Sequence, residues 1–213
     1  MHDEVNSEIL IAPDRNGYIK YTLMCLLLCS CSGSGGTEAD APLDRLEAMR
    51  TETSQLVAKF SPVAYTELTD VPPVGSASYR GFVSAQLSNT SDNVTDTLIG
   101  ELSIDVNFAE SDIVTGAAEG FLDENGLPLT GMLVLSNGTL DRAGDPNTDA
   151  TFTFAGAGSL VDASGQTLNI LANFEGDFLE NNYSGVGGDF LGQIIVDGNA
   201  QSLGGLFIAE SLN

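Results

Sequence analysis

The chain has 213 residues, of which 30 are acidic and 7 basic, and its formal net charge is −23. Nucleic-acid binding needs a basic surface, and anionic lipid attracts basic segments, so this balance argues against both as direct partners. The acidity is typical of a solvated surface that repels its neighbours, and steering towards a basic partner is the alternative interpretation.

An apolar stretch near the N-terminus contains every cysteine of the chain. Residues 21–31 read Y-T-L-M-C-L-L-L-C-S-C, with cysteines at Cys25, Cys29 and Cys31. The stretch is too short to span a membrane but fits the apolar core of a secretory signal. Cysteines confined to one short window argue against a disulfide framework, and C-x-C without a later Cys or His offers too few ligands for a metal.

The end of this stretch resembles a bacterial lipoprotein signal. In L-C-S-C at 28–31, Leu28 lies three residues before Cys31 and the small Ser30 directly precedes it. The resemblance implies that residues 1–31 are a signal segment and that Cys31 is lipidated, with acyl chains that anchor it stably to a membrane. Ser32 after the cysteine implies the cell outer membrane. A short buried apolar helix with incidental cysteines is the alternative.

The region before the apolar stretch departs from that pattern. Residues 1–20 contain four acids, and their only bases are Arg15 and Lys20, whereas a secretory signal begins with a short positive segment. We therefore expect translation to start near Lys20 and residues 1–18 not to be made. After Cys31, the sequence S-G-S-G-G opens a flexible tether over 32–41.

Residues 42–60 carry the apolar spacing of one helix. The apolar positions recur at intervals of three, four and seven, and they are Leu43, Leu46, Met49, Leu56 and Phe60. Pro42 suits a first helical turn, and Asp44 lies where the helix dipole favours an acid. We expect the stripe to pack on the following domain or to plug it, and a free partner-binding helix is the alternative. Residues 61–76, with adjacent prolines at 72–73, are predicted to be a linker.

From residue 77 to 213 the apolar period changes to two. The clearest alternation lies at 98–108 and 168–178, and weaker patterns lie at 78–87, 112–122, 129–139, 150–160, 186–196 and 203–210. Eight strands joined by short turns predict an all-β, eight-stranded antiparallel up-and-down barrel preceded by one helix. Four glycines, Gly100, Gly156, Gly176 and Gly192, fall on the apolar face, where they relieve a narrow interior. A membrane-spanning barrel is the alternative, but the chain lacks Trp for aromatic girdles.

The closing strands resemble the barrel domains of the transferrin-binding protein B family. The motifs are G-D-F-L-G at 188–192 and A-Q-S-L-G-G-L-F at 200–207, preceded by a Y-x-G at 79–81 and a strand pair at 98–120. The resemblance covers the barrel alone and implies a surface-exposed lipoprotein that binds a macromolecule or a small ligand without catalysis. A generic barrel that needs Gly and Phe for packing is the alternative.

The family resemblance implies a non-enzymatic binding module for a host or environmental protein or a haem-like ligand, possible roles being iron or haem acquisition. We expect a monomer. A structural lipoprotein that faces the periplasm and has no specific ligand is the alternative.

The mature chain would contain no His and no Cys after Cys31, so nucleophilic triads are excluded and no resident cofactor is expected. Haem would then need a tyrosine or methionine ligand. The best-placed loop residue is Tyr183, beside Asn182, with Tyr65 and Tyr79 as alternatives. The acids of the alternating strands are predicted to lie on a solvated face rather than to form a glycosidase pair. The oxygen-rich segment 141–149 is predicted to be a turn rather than a calcium site.

Overall fold

The computed structural model describes residues 41–67, 69–88, 94–108, 113–143, 149–180 and 182–212. Within them one helix precedes eight strands: α1 Ala41–Phe60, β1 Ser76–Ser88, β2 Val94–Asn107, β3 Ile113–Leu122, β4 Thr130–Leu140, β5 Phe152–Val161, β6 Thr167–Leu179, β7 Gly185–Val196 and β8 Asn199–Ser211. The predicted signal segment, Cys31 and most of the tether lie outside the described residues.

The eight strands form a closed antiparallel barrel in sequence order. Each strand pairs with the next, and β1 closes the barrel against β8 through pairs such as Val83 with Phe207. This confirms the predicted fold class. Two strands begin four residues earlier than the sequence predicted. For β8 the reason is a two-residue hairpin at Asp197 and Gly198, whose φ values of 50° and 81° match a tight primed turn.

The apolar face of the strands points into the barrel, and phenylalanine rings fill the interior. Phe154, Phe174 and Phe190 stand on three neighbouring strands in one register row, with successive ring centroids 4.7 Å apart. Phe207 meets the Phe174 ring edge-on at 5.8 Å. Phe178 is fully buried and packs against Phe152. The barrel is therefore solid at this level.

Glycines on the inward face make room for those rings. A Cβ on Gly176 would lie 2.5 Å from Cζ of Phe207, and one on Gly156 would lie 2.7 Å from the Phe174 ring. An eight-stranded barrel has an interior just wide enough for side chains, so a ring on one strand needs a glycine opposite it. The predicted role of the inward glycines agrees with these distances.

Helix α1 lies along the outer wall of the barrel rather than across its end. Its buried residues Leu46 and Met49 pack on Phe82, Ile99 and Leu122, which point outward from the first three strands. Leu43, which the sequence placed in the buried stripe, is 49% exposed. No described helix is long and apolar enough to cross a membrane.

The two ends of the helix mark the two ends of the barrel. Near its start, the Pro42 carbonyl lies so close to Gly126 in the β3–β4 turn that a Cβ there would approach it to 2.6 Å. At its end, Phe60 packs on Leu179 and Ile208 beside the start of β7. The helix therefore runs from the end that carries the β3–β4 turn to the opposite end of the barrel.

Candidate functional site

The end of the barrel beside Phe60, called the closed end below, is covered by the linker that follows α1. Val71 enters the interior and is 3% exposed, while the Thr66 amide donates to the Phe178 carbonyl at 2.9 Å. Arg142 holds the linker in place, since its guanidinium donates to the carbonyls of Pro72 at 3.0 Å and of Val71 and Phe108 at 3.4 Å. A ligand therefore has no entrance between these residues.

The tyrosine predicted as a ligand residue lies at this closed end. The Tyr183 ring packs edge-on against Phe108, with ring centroids 5.9 Å apart, and its carbonyl accepts a hydrogen bond from the Tyr79 hydroxyl. Asn182 beside it is exposed. Tyr79 is almost fully buried, and burial raises the pKa of its phenol. The ligand-binding role of Tyr183 and Asn182 stays a prediction, and the ring of Tyr183 already belongs to the cover of the barrel.

Tyr65, the other alternative, lies in the linker on the outside of the barrel. It forms a single bridge with Leu179, and its pKa is raised mainly by burial and further by the carboxylates of Asp177 and Asp189. Asp177 is itself partly buried, and its pKa is raised to about 6 by burial, with a smaller contribution from Asp189. The three residues belong to the outer wall and do not face the interior.

The opposite end, called the open mouth below, holds a cavity of about 430 Å³. Its floor is made of inward-facing aliphatic side chains at the last level of the barrel, and these are Leu87, Leu98, Leu129, Leu168 and Val196. The β3–β4 and β5–β6 turns form its rim, with Leu127 at 44% exposure among them. A cavity of this size lies within the range of about 300–1,000 Å³ that small-molecule sites occupy.

One carboxylate points into the open mouth from the barrel wall. Asp96 lies on β2 opposite Leu87, two residues before Leu98, so the alternation of the strand turns it inward. Its carboxylate accepts a hydrogen bond from the neighbouring Thr97 amide at 2.7 Å. Burial raises the pKa of Asp96, the Thr97 amide opposes that rise, and the charges of Glu124 and Asp123 add to it.

The two other acids of the rim stabilise the turns on which they lie. Asp123 Oδ1 accepts hydrogen bonds from the amides of Asn125 and Leu127 at 2.9 and 2.7 Å. Asp162 Oδ1 accepts from the Ser164 amide and hydroxyl and from the Gln166 amide, and these bonds, led by that from the hydroxyl, lower the pKa of Asp162. Such side-chain caps are the usual role of aspartate in a tight turn. Asp96 is the acid of the mouth that caps no turn.

The sequence did not single out Asp96, although a signal for it was present. The predicted strand began at Leu98, which points inward. Because side chains alternate along a strand, the side chain two positions earlier, that of Asp96, points inward as well. The apolar residues of the rim lie in the segment 123–129, whose strong turn residues are typical of a surface loop. Arg142 was also missed, because its partners are backbone carbonyls 34 to 71 residues away in sequence.

Other predicted features lie on the outside of the barrel. Glu101 and Glu175 are exposed on the outer wall, as expected for the acids of the alternating strands. Asp141 caps its turn by accepting from the Ala143 amide at 2.9 Å, and residues 144–148 of the segment that was predicted to be a turn lie outside the described residues. Among the described residues, no group of three or more His, Cys, Asp or Glu side chains is arranged to hold a metal ion.

No family model and no curated protein matches the chain. The solved structures that are similar to it include two of one protein. One is a tryptophan-to-alanine mutant of the vaccine antigen Transferrin Binding Protein B from Haemophilus parasuis Hp5, with a TM-score of 0.40, 16% identity, and coverage of 69% of this chain and 28% of that chain. The other is a double mutant of the same antigen, with a TM-score of 0.38, 18% identity, and coverage of 69% and 27%. This chain thus spans less than a third of their length, and similarity at this level carries no functional argument.

Proposed function

We propose that this protein is a lipoprotein of the cell outer membrane whose barrel is a non-enzymatic binding module, with its ligand held in the open mouth. The observation that carries the proposal is the contrast between the two ends of the barrel. Within the described residues, the closed end is filled by rings such as Phe178 and covered by the linker, whereas the open mouth holds a cavity of about 430 Å³ above aliphatic side chains. The lining of this cavity combines aliphatic side chains with polar ones such as Asp96 and Gln201, and small molecules bind in concave sites where apolar surface meets placed polar groups.

The chemistry of the mouth supports binding rather than catalysis. Hydrolysis by paired carboxylates needs two acids free to act on one bond. Here Asp123 and Asp162 are occupied by the amides of their own turns, which leaves Asp96 as the acid available to a ligand. The sequence after Cys31 supplies neither His nor Cys as a base or nucleophile.

A matched pair of glutamines tests the ligand site. Gln201 lines the open mouth from β8, whereas Gln193 is exposed on the outer wall of β7. The protein with Gln201→Arg and the protein with Gln193→Arg are each incubated with a detergent extract of bacterial envelopes and analysed by native mass spectrometry. We expect a co-purifying ligand on the parent protein and on Gln193→Arg, and a reduced amount on Gln201→Arg. Equal loading of all three would show that the ligand lies elsewhere, and an absence of ligand from all three would count against a binding module.

The anchor is tested separately. Cells fed an alkyne analogue of palmitate should label the parent protein and the Cys29→Ser variant, but not Cys31→Ser. Label retained on Cys31→Ser would remove the anchor from the proposal.

An epitope tag at Asn125, an exposed residue of the β3–β4 turn, distinguishes surface display from the alternative of a structural lipoprotein that faces the periplasm. Antibody binding on intact cells is expected for surface display. Binding only after the outer membrane is permeabilised would favour the periplasmic alternative.

Tyrosine ligation of haem, the alternative drawn from the sequence, is tested with Tyr183→Phe. The hydroxyl of Tyr183 forms no hydrogen bond within the described part of the chain, so this change should leave the fold intact. If the parent protein binds haem through the phenolate, the variant loses the absorption spectrum of that complex. Identical haem titrations of both proteins would remove Tyr183 as a ligand residue.

A further inference from the structure

Resting on the binding role proposed above, we propose that the open mouth takes a cationic amphiphile, whose ammonium group pairs with Asp96 while its aliphatic chain lies on the leucine floor. The ligand class follows from the two chemistries that meet in the cavity. One is the aliphatic surface of the floor and the other is the negative charge of Asp96, and the barrel fixes the positions of the residues that supply them.

The floor selects for an aliphatic chain. Leu87, Leu98 and Leu168 are almost fully buried at the last inward level of the barrel, and the cavity lies directly above them. The phenylalanine rings lie deeper in the barrel, so the apolar part of the cavity lining is aliphatic, and polar side chains such as Asp96 and Gln201 complete the lining. Burying apolar surface is the driving force for such a ligand, and each added methylene that reaches the floor should raise affinity about fourfold.

Asp96 selects for a positive charge. An inward position in a barrel is usually apolar, and a carboxylate there loses part of its hydration. Among the described residues, its one hydrogen-bond donor is the adjacent Thr97 amide, so the carboxylate keeps capacity for another partner. An ammonium group at this position would supply the donor and the opposite charge together.

The acidic residues around Asp96 also favour a positively charged ligand. The groups that act on Asp96 from the β3–β4 turn are Asp123 and Glu124, and the β5–β6 turn contributes Asp162 to the same rim. No Lys or Arg is among the described residues that line the cavity. A cavity lined by charges of one sign focuses their field, so the mouth should attract cations and repel anions.

Acidic solution should weaken the interaction. A cation favours the ionised form of Asp96, whose pKa is raised in the free protein by burial and by its acidic neighbours. As the pH falls through that pKa, the carboxylate gains a proton and loses its charge. Affinity for the cation should then fall, while affinity for a neutral amphiphile of the same length should stay unchanged.

Three probes with the same chain length test the proposal: octylammonium, octanol and octanoate, each used below its micellar concentration. Binding to the full-length protein is followed by amide chemical shifts in nitrogen-15 NMR spectra. We expect octylammonium to bind at least tenfold more tightly than octanoate, with octanol between them. The largest shifts should fall on Asp96, Leu127 and Gln201. Hexylammonium, which is two methylenes shorter, should bind about sixteenfold more weakly than octylammonium.

Two charge-neutralising variants locate the selectivity. Asp96→Asn should weaken octylammonium about tenfold and change octanol by less than twofold. Glu119→Gln removes the same charge from an exposed position on the outer wall of β3, and it should change neither value by more than twofold. Because both changes keep side-chain size, and Asn at position 96 still accepts from the Thr97 amide, both variants should fold.

Two results would overturn the proposal. If octylammonium, octanol and octanoate bind the mouth equally and Asp96→Asn changes none of them, the mouth is an apolar site without charge selection. If none of the probes binds while an envelope ligand still depends on Gln201, the ligand class is wrong and the proposed binding role stands. Loss of both the probes and the envelope ligand would remove the binding role as well.

Discussion

The hydroxyl of Tyr79 donates a hydrogen bond of 3.0 Å to the main-chain carbonyl of Tyr183, joining the first strand to the β6–β7 loop across the closed end. Tyr183 has a φ of 49°, a left-handed conformation that few residues of its size adopt without support. The ring of Tyr183 rests on Phe108, and its carbonyl is held by Tyr79. The loop conformation therefore depends on contacts made far away in sequence.

Tyr79→Phe should lower the free energy of unfolding by about 1–2 kcal/mol, because the Tyr183 carbonyl loses its partner in an apolar setting. Urea denaturation measures the change. Tyr183→Phe is the matched control, since it removes a tyrosine hydroxyl at the same end of the barrel but leaves the Tyr183 carbonyl and ring in place. Equal losses in the two variants would show that the Tyr79 bond does not support the loop.

Gly176→Ala should destabilise the barrel by about 1–3 kcal/mol, the usual cost of overpacking a filled interior. The new methyl would lie 2.5 Å from Cζ of Phe207 and 2.9 Å from Cζ of Phe152. Gly204→Ala is the control, because its Cβ would meet the side chain of Leu191, which is 73% exposed and free to move. Thermal and urea unfolding of the two variants should differ clearly, and similar stabilities would mean that the interior has unfilled space.

Arg142→Met should open the closed end. The guanidinium bonds to Val71, Pro72 and Phe108 would be lost, and hydrogen bonds from a charged donor contribute about 1.5–3 kcal/mol. Hydrogen exchange should accelerate at the Phe108 amide, which donates to the Gly75 carbonyl beside the clamp. Arg80→Met, at an exposed position on the outer wall of β1, should leave that amide unchanged. Unaltered exchange in Arg142→Met would show that Val71 alone seals this end.

Asp177→Asn should flatten the dependence of stability on pH. Burial raises the pKa of Asp177 to about 6, so between about pH 4 and 6 the folded protein keeps a proton that the unfolded chain has lost. The contribution of this group to stability is therefore present at low pH and is lost as the pH rises through 6, by about 1–3 kcal/mol.

The asparagine still accepts from the Thr151 amide, which donates to Asp177 at 2.9 Å, and it carries no charge to desolvate. The variant should therefore be more stable than the parent at pH 7 and should equal it near pH 4. Denaturation midpoints across this range provide the measurement. A parent protein that shows the same slope as the variant would contradict the assignment.

The sequence predicted the barrel well because both signals for it are local. Alternation at 98–108 places every second side chain inward, and the spacing of Leu46, Met49 and Phe60 gives the helix its buried side. The sequence did not decide whether the helix lies on the outer wall, because outward apolar residues such as Phe82 and Ile99 look like chance exceptions to an alternating pattern. Only tertiary packing shows that they form a second, smaller core.

The candidate site was harder to predict for a related reason. Asp96 and Leu168 are far apart in sequence and meet only because the barrel closes. Tyr183 was predicted as a ligand residue because it is an aromatic residue in a loop. That loop lies over a filled interior, and the tyrosine ring packs there as part of the cover. Composition identifies turns and strands, whereas which end of a barrel is open depends on the linker that covers the other end.

The direction of helix α1 has a consequence for how the molecule stands on a membrane. The helix begins beside Gly126 at the open mouth, and Ala41 lies ten positions after Cys31. That length spans at most roughly 35 Å when fully extended. With Cys31 lipidated, as proposed, the mouth would stay near the bilayer, and the sealed end would stand farther out by up to the length of the helix, about 30 Å. An amphiphile could then pass between the lipid and the barrel over a short path, while a soluble protein would first meet the surface formed by the linker and the β6–β7 loop.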